Sequence, residues 1–164
     1  MKHYLVNFLM RILPPSRCYS LKRALLKWIG VRVGKNVRVM RIQIWGVSVE
    51  IGDNTFIGND TYITGASETR VLIGKNCDIS DRVNILTGSH LLGTINQAAG
   101  EGYGKDVIIG DGVWIGLGAT IMPGVTIGKG SVIAACACVK DNVDSAIMVA
   151  GIPAKIKKHL FEDK

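Results

Sequence analysis

Acidic residues are missing from the whole first part of the chain. Residues 1 to 49 hold ten Lys or Arg and no Asp or Glu, whereas the ten basic residues after them face thirteen acids. The net charge of +7 is therefore a local property. A one-sign end of this kind concentrates anionic partners such as a lipid surface or an anionic substrate. Nucleic acid is not expected, because the basic residues are not interleaved with the aromatics that a nucleic-acid module uses. Long hydrophobic runs are also lacking. The apolar stretch from Tyr4 to Leu13 is interrupted by Asn7 and Arg11, and it is about half the ~20 residues that a membrane span needs. The four cysteines, Cys18, Cys77, Cys136 and Cys138, show no paired metal spacing, and nothing reads as a secretory signal. Free thiols in a reducing compartment are expected, which makes the cytoplasm the expected location. Only three histidines occur, His3, His90 and His159. Their separation excludes a three-histidine zinc site, and no metal is expected.

Aromatics make up 6% of the chain against 20 glycines, a balance that argues against a helical bundle and for many sharp corners. The 164 residues are 48% hydrophobic, enough for one domain with a real core. What fills the space is a repeat. Aliphatic residues recur every six positions at Val33, Val39, Ile51, Ile57 and Ile63, with Trp45 keeping the phase between them. The phase slips and resumes at Ile73, Ile79 and Ile85. After a long insertion it runs through Ile109, Ile115, Ile121, Ile127, Ile133 and Val139, fifteen hexapeptides in all.

Two more columns keep the same phase. Four residues after the aliphatic position comes a small or β-branched residue: Val37, Thr55, Thr61, Cys77, Val83, Val113, Ala119, Val125, Ser131, Ala137 and Val143. Three residues after it come Asn36, Asn54, Asp60, Asn76, Gly88, Gly112, Gly118, Gly124, Gly130 and Asn142. Gly, Asn and Asp tolerate positive φ better than other residues, so this column predicts one left-handed corner per hexapeptide. Short strands and regular corners describe an all-β solenoid, with three hexapeptides per triangular coil and about five coils.

From about Val31 to Lys158 the chain resembles the hexapeptide-repeat, or left-handed β-helix, acyltransferases. Trp114-Ile115-Gly116, Pro123-Gly124-Val125-Thr126-Ile127-Gly128 and the closing Gly151-Ile152-Pro153-Ala154-Lys155 carry the likeness. The left hand of the coil comes from that resemblance alone, since parallel crossovers are ordinarily right-handed. The domain reading is a helical segment over 1–30, a β-helix over 31–144 with an inserted loop 91–106, and a closing segment with a short helix over 145–164. In the first segment Leu5, Phe8, Leu9 and Ile12 mark an amphipathic helix. After Pro14-Pro15, Ser20 is placed as the cap of a second helix that packs Leu21, Ala24, Leu25, Trp28 and Ile29 on one face. Lys22, Arg23 and Lys27 take the other face, and Gly30 ends the helix. These helices either cover the open first coil or lie on an anionic membrane.

The resemblance implies an acetyl-CoA-dependent acetyltransferase that works as a homotrimer, with the loop after His90 leaning over the site of a neighbouring subunit. His90 matches the family's catalytic histidine. A sugar hydroxyl needs a base to take its proton, and neutral imidazole suits that task. The backbone N–H near Leu117 matches the family's oxyanion donor. Asp60 and Glu68 align with polar acceptor-contacting positions, Asn84 is a further orienting candidate, and Trp114 belongs with the acceptor side or with the cofactor. Gly116, Ala134, Ala135, Lys140, Lys155 and Lys158 are implied contacts for CoA. Cys77, in an interior column, reads as a core residue.

The leading reading is O-acetylation of a surface polysaccharide or its lipid-linked precursor, because the basic start followed by Gly30-Val31-Arg32-Val33-Gly34-Lys35-Asn36 looks like that subgroup. N-acetylation of an amino-sugar nucleotide is the second enzyme reading, weakened because no Rossmann-like domain precedes the coil. Serine acetyltransferase would need a larger helical domain in front. A catalytically silent assembly subunit is the reading from another class, and it has no use for His90 beside an insertion.

Overall fold

Each hexapeptide forms one short strand and one corner, and the strands stack in parallel into three sheets that enclose a triangular axis. The structure is a computed structural model, and it describes residues 1 to 161. The first and third faces each hold five strands, which makes about five coils. The chain runs from the first face to the second to the third, so it turns at three edges, called first, second and third in that order.

Register explains the repeat. On the first face Val33, Ile51, Ile73, Ile109 and Ile127 stand one above another. Val39, Ile57, Ile79, Ile115, Ile133 and Val149 do so on the second. Ile44, Ile63, Ile85, Ile121 and Val139 do so on the third. Almost all are buried, and so is every member of the small column from Val37 to Val143. Truncating one of the buried isoleucines to Ala would cost about 2–5 kcal/mol, because neighbouring coils cannot close the gap. The hydroxyls in the small column are paired. Thr55 Oγ1 donates to the Gly74 carbonyl at 2.8 Å, and Ser131 Oγ to that of Asp144 at 2.7 Å.

The corner column holds at Asn36, Asn54, Asp60, Asn76, Gly112, Gly118, Gly124 and Gly130, all with positive φ. Gly88 and Asn142 do not have it. Gly88 lies in a hairpin strand, and Asn142 instead accepts the Thr126 N–H through its side chain at 2.8 Å. Arg82 and Cys136 take left-handed corners although neither residue type favours them.

Four expectations are corrected. Trp45 does not keep the phase: the strand Ile42–Trp45 pairs Ile44 with Ile63, so Ile44 enters the column and Trp45 points outward. The third hexapeptide is one residue short, and the next makes up the difference. The insertion is an antiparallel hairpin, Gly88–Thr94 with Gln97–Gly104, rather than an irregular loop. The C-terminal short helix does not form among the described residues. Lys155–His159 is a strand that pairs antiparallel with Ile147–Ala150 and covers the last free edge of the second face. Residues 162 to 164 of the closing segment lie outside the described residues.

The fourth correction concerns the two helices, α1 (Lys2–Ile12) and α2 (Tyr19–Trp28), which do cover the first coil, but with other faces than expected. In α1 the buried residues are Val6, Asn7 and Met10, and Leu5, Phe8 and Ile12 face outward. Asn7 Nδ2 donates to the Ile44 carbonyl at 2.9 Å, and the Ile44 N–H donates to Asn7 Oδ1 at 3.1 Å. Ser20 lies inside α2 and caps nothing; the cap position is Cys18, without a side-chain bond. The helix buries Lys22 and Leu26, while Leu21 and Trp28 stay half exposed. The Pro14-Pro15 linker decides this rotation: its two carbonyls accept from Lys22 Nζ at 2.9 and 2.6 Å, so the ammonium is the donor the linker needs. Burial holds the Lys22 pKa below its ordinary value of 10.5.

Candidate active site

His90 sits in the first strand of the hairpin, which grows from the third edge between the strands Asn84–Leu86 and Val107–Ile109. A glycine-rich partner strand lets the hairpin lie close to the coil. A Cβ at Gly104 would stand 2.6 Å from Thr69 Cγ2 and 2.7 Å from Ala66 Cβ, so only glycine fits there without displacement. At the hairpin base Asp106 accepts from the Arg70 backbone N–H at 2.8 Å and from its guanidinium at 3.0 and 2.8 Å. Those hydrogen bonds, the backbone one foremost, hold the Asp106 carboxyl below its ordinary value.

His90 Nδ1 lies 2.9 Å from the Gly100 carbonyl. A carbonyl only accepts, so Nδ1 is the donor here, and in the neutral ring the lone pair is then on Nε2, the form a general base requires. The ring stands in a cleft of about 550 Å³ lined by Gly65, Ser67, Ser89 and Tyr103 among others. Ser67, Ser89 and Tyr103 escaped the sequence reading. The signal for two of them was the insertion itself, because a hairpin register that pairs Ser89 with Tyr103 and His90 with Gly102 brings them beside the imidazole.

The other candidates divide between edges. Asp60, Gly116, Leu117, Ala134 and Ala135 stack along the second edge, between strands of the second and third faces. Lys155 joins them, since it pairs with Ala150 at the second-edge end of its strand. Leu117 is exposed, and no hydrogen bond among the described residues uses its N–H. Asp60 has φ +54, so its place also has a backbone reason. Glu68 (φ +71) and Lys140 lie with His90 on the third edge, where Lys140 pairs with Asp141 at 3.1 Å. Trp114 is exposed on the second face, and Lys158 pairs with Met148 there. Asn84 points outward on the third face, between Tyr62 and Thr120. One chain therefore does not bring His90 and Leu117 together. The hairpin also exposes apolar side chains: among the described residues nothing covers Leu92 or Ile95, and Leu91 is half exposed.

No group of three or more metal-ligating side chains occurs among the described residues. Cys77 is buried, its Sγ donating to the Gly110 carbonyl at 3.1 Å, and burial raises its pKa, which keeps it a thiol of the core.

The geometry meets its relatives here. Residues 106–141 match the family model described as bacterial transferase hexapeptide (six repeats), and 48–80 match the hexapeptide repeat of succinyl-transferase. The galactoside O-acetyltransferase of Escherichia coli is 31% identical over 143 residues, which are 85% of this chain and 68% of that protein. A hexapeptide-repeat acetyltransferase of Vibrio cholerae, solved with acetyl coenzyme A, superposes with a TM-score of 0.80 at 27% identity, over 98% of this chain and 86% of that one. A polySia-specific acetyltransferase superposes with a TM-score of 0.69 at 34% identity, over 82% and 63%. This chain belongs to the hexapeptide-repeat acyltransferase family, and its solenoid is that family's left-handed β-helix. It spans 53–59% of the length of three further curated relatives.

Proposed function

We propose that the protein is an acetyl-CoA-dependent O-acetyltransferase that acts on a sugar hydroxyl of a surface polysaccharide or its precursor. It works as a homotrimer with each site between two copies. The separation of His90 from the Leu117 edge is the observation that carries this reading: a base with a fixed tautomer and an exposed backbone donor stand on different edges, and a neighbouring copy supplies the missing half. Two of its relatives, a galactoside O-acetyltransferase and a polySia-specific acetyltransferase, favour a sugar acceptor.

The reaction follows from those groups. His90 Nε2 takes the proton of the acceptor hydroxyl as its oxygen attacks the thioester carbonyl. The Leu117 N–H of the neighbouring copy donates to the oxyanion of the tetrahedral intermediate. Collapse breaks the carbon–sulfur bond, the sulfur leaves with the proton held on His90, and the products are an acetyl ester and free CoA. Gly116, Ala134 and Ala135 give the pantetheine arm a close path along the second edge. Lys155 at its end meets a phosphate, with Lys158 behind it. Glu68 and Asn84 orient the acceptor near His90, and Asp60 and Trp114 border it from the neighbouring copy. Lys140, on the third edge and paired with Asp141, has the weaker claim on CoA.

The test measures thiol release from acetyl-CoA with a panel of sugars, polysaccharides and amino-sugar nucleotides. Release is expected with an acceptor bearing only hydroxyls, giving a product whose acetyl group mild base removes. Release confined to amino sugars, with an acetyl group that survives mild base, refutes O-acetylation. Release no faster with any acceptor than without one refutes the enzyme reading.

A further inference from the structure

The first coil ends in an apolar surface that the other described residues leave about half exposed. Backbone hydrogen bonds between parallel coils run along the solenoid axis, and Asn7 makes its two bonds to Ile44 in that direction. Helix α1 therefore lies across the end of the axis, and the side opposite Asn7 looks away from the coil. That side carries Leu5, Phe8 and Ile12, at helical spacing and 47%, 59% and 61% exposed. Lys2 and Arg11 flank the stripe on the helix, both exposed, and Lys2 Nζ stands 5.6 Å over the ring of Trp28, itself half exposed on α2. A helix apolar on both sides has two partners, and only one of them is the coil.

We propose that this end is a foot that docks on a bilayer bearing anionic phospholipid headgroups. Charge decides between lipid and a second copy. Residues 1 to 49 carry ten cations and no anion, so two such ends facing one another would repel, whereas an anionic leaflet attracts them. Among the described residues no helix is long and apolar enough to cross a membrane, and the foot lies in the interface with Leu5, Phe8 and Ile12 entering the acyl boundary. The proposal rests on the trimer reading in one respect. A closed three-fold arrangement about the solenoid direction points three feet the same way, so a weak single contact becomes a firm triple one. Docked in this manner, the solenoid axis stands upright on the surface, and the third edge with His90 runs up from it.

The experiment is vesicle co-sedimentation of the full chain, with phosphatidylcholine alone and with about a third phosphatidylglycerol added. The wild type is expected in the pellet with the anionic vesicles and in the supernatant with the neutral ones. The combined exposed-face variant Leu5→Ser, Phe8→Ser, Ile12→Ser leaves Val6, Asn7 and Met10 untouched, and it is expected to lower the partition coefficient about tenfold or more. A second variant, Lys2→Glu with Arg11→Glu, is expected to remove the preference for anionic lipid. A wild type that stays in the supernatant with both vesicles overturns the proposal, as does a triple variant that binds like the wild type. Light scattering that shows an assembly larger than a trimer, reduced to a trimer by the triple variant, assigns the face to a second copy and also overturns it. Thiol release on a soluble acceptor is expected to be equal in wild type and triple variant. Absence of release from both counts against the acetyltransferase reading and leaves the lipid result standing.

Discussion

With His90 on the third edge and Leu117, Ala134 and Ala135 on the second, two damaged subunits should repair each other when they share a trimer. His90→Ala removes the base and keeps the second edge intact. Ala135→Trp fills the second edge with a bulky ring and keeps the hairpin; Ala135 is exposed, so the core is not disturbed. Each homotrimer should be nearly inactive. In a randomly mixed one-to-one pool, a site works when the copy giving His90 is the Ala135→Trp chain and the neighbour giving the second edge is the His90→Ala chain. That combination has a probability of about one quarter, so about a quarter of wild-type thiol release should appear. The pool is made by co-expression with two different tags, and tandem purification of doubly tagged trimers raises the fraction further. A site contained within one chain predicts no gain. Activity in the mixed trimers no higher than the sum of the two parents would refute the shared-site reasoning.

His90→Ala alone should lower kcat about 10²-fold to 10⁴-fold with little change in CoA affinity. Equal kcat for variant and wild type on a proven acceptor makes His90 structural. Gly104→Val should push the hairpin base off Ala66 and misplace His90, costing about 10²-fold in kcat. Because the hairpin lies outside the coil, thermal unfolding followed by circular dichroism should move little. Lys22 supplies a pH test. Its folded pKa lies below 10.5, so between that lowered value and 10.5 the unfolded chain holds a proton that the folded chain has lost, and stability rises with pH through the window. Denaturant titrations from neutral pH to about pH 10 should show the rise in wild type and a smaller one in Lys22→Met; equal slopes would place Lys22 in water.

The coil was legible because its period is enforced by stacking: every member of the small column from Val37 to Val143 is buried, and most of the corner residues have positive φ. Spacing failed where two apolar residues compete for one inward position, as Ile44 and Trp45 do, since a one-residue slip changes which side chain faces in. Composition likewise could not show which way a helix is rotated. Lys22 goes inside because two proline-linker carbonyls need a donor, and Leu5, Phe8 and Ile12 go outside because Asn7 must reach Ile44. The C-terminal Lys155–His159 has little strand pattern of its own, and the unpaired edge of Ile147–Ala150 recruits it. For the site, the position of His90 at the mouth of an insertion was legible. The contact of its Nδ1 with the Gly100 carbonyl was not, because that depends on pairing across a hairpin.

The paired bonds between Asn7 and Ile44 bear on how long such a rod is. Nothing in a hexapeptide says where stacking stops, since every coil offers the next one the same rows of N–H and C=O groups. A single amide side chain takes the Ile44 pair at one end, and a reversed strand takes the outer row of the second face at the other. Length is thereby uncoupled from closure. Three hexapeptides inserted in the middle would lengthen the prism by about 4.8 Å, one strand spacing, with both terminators unchanged. Removing the amide leaves the Ile44 N–H and carbonyl buried beneath α1 without a partner. Asn7 thus ends the third face at its first strand as well as holding a helix.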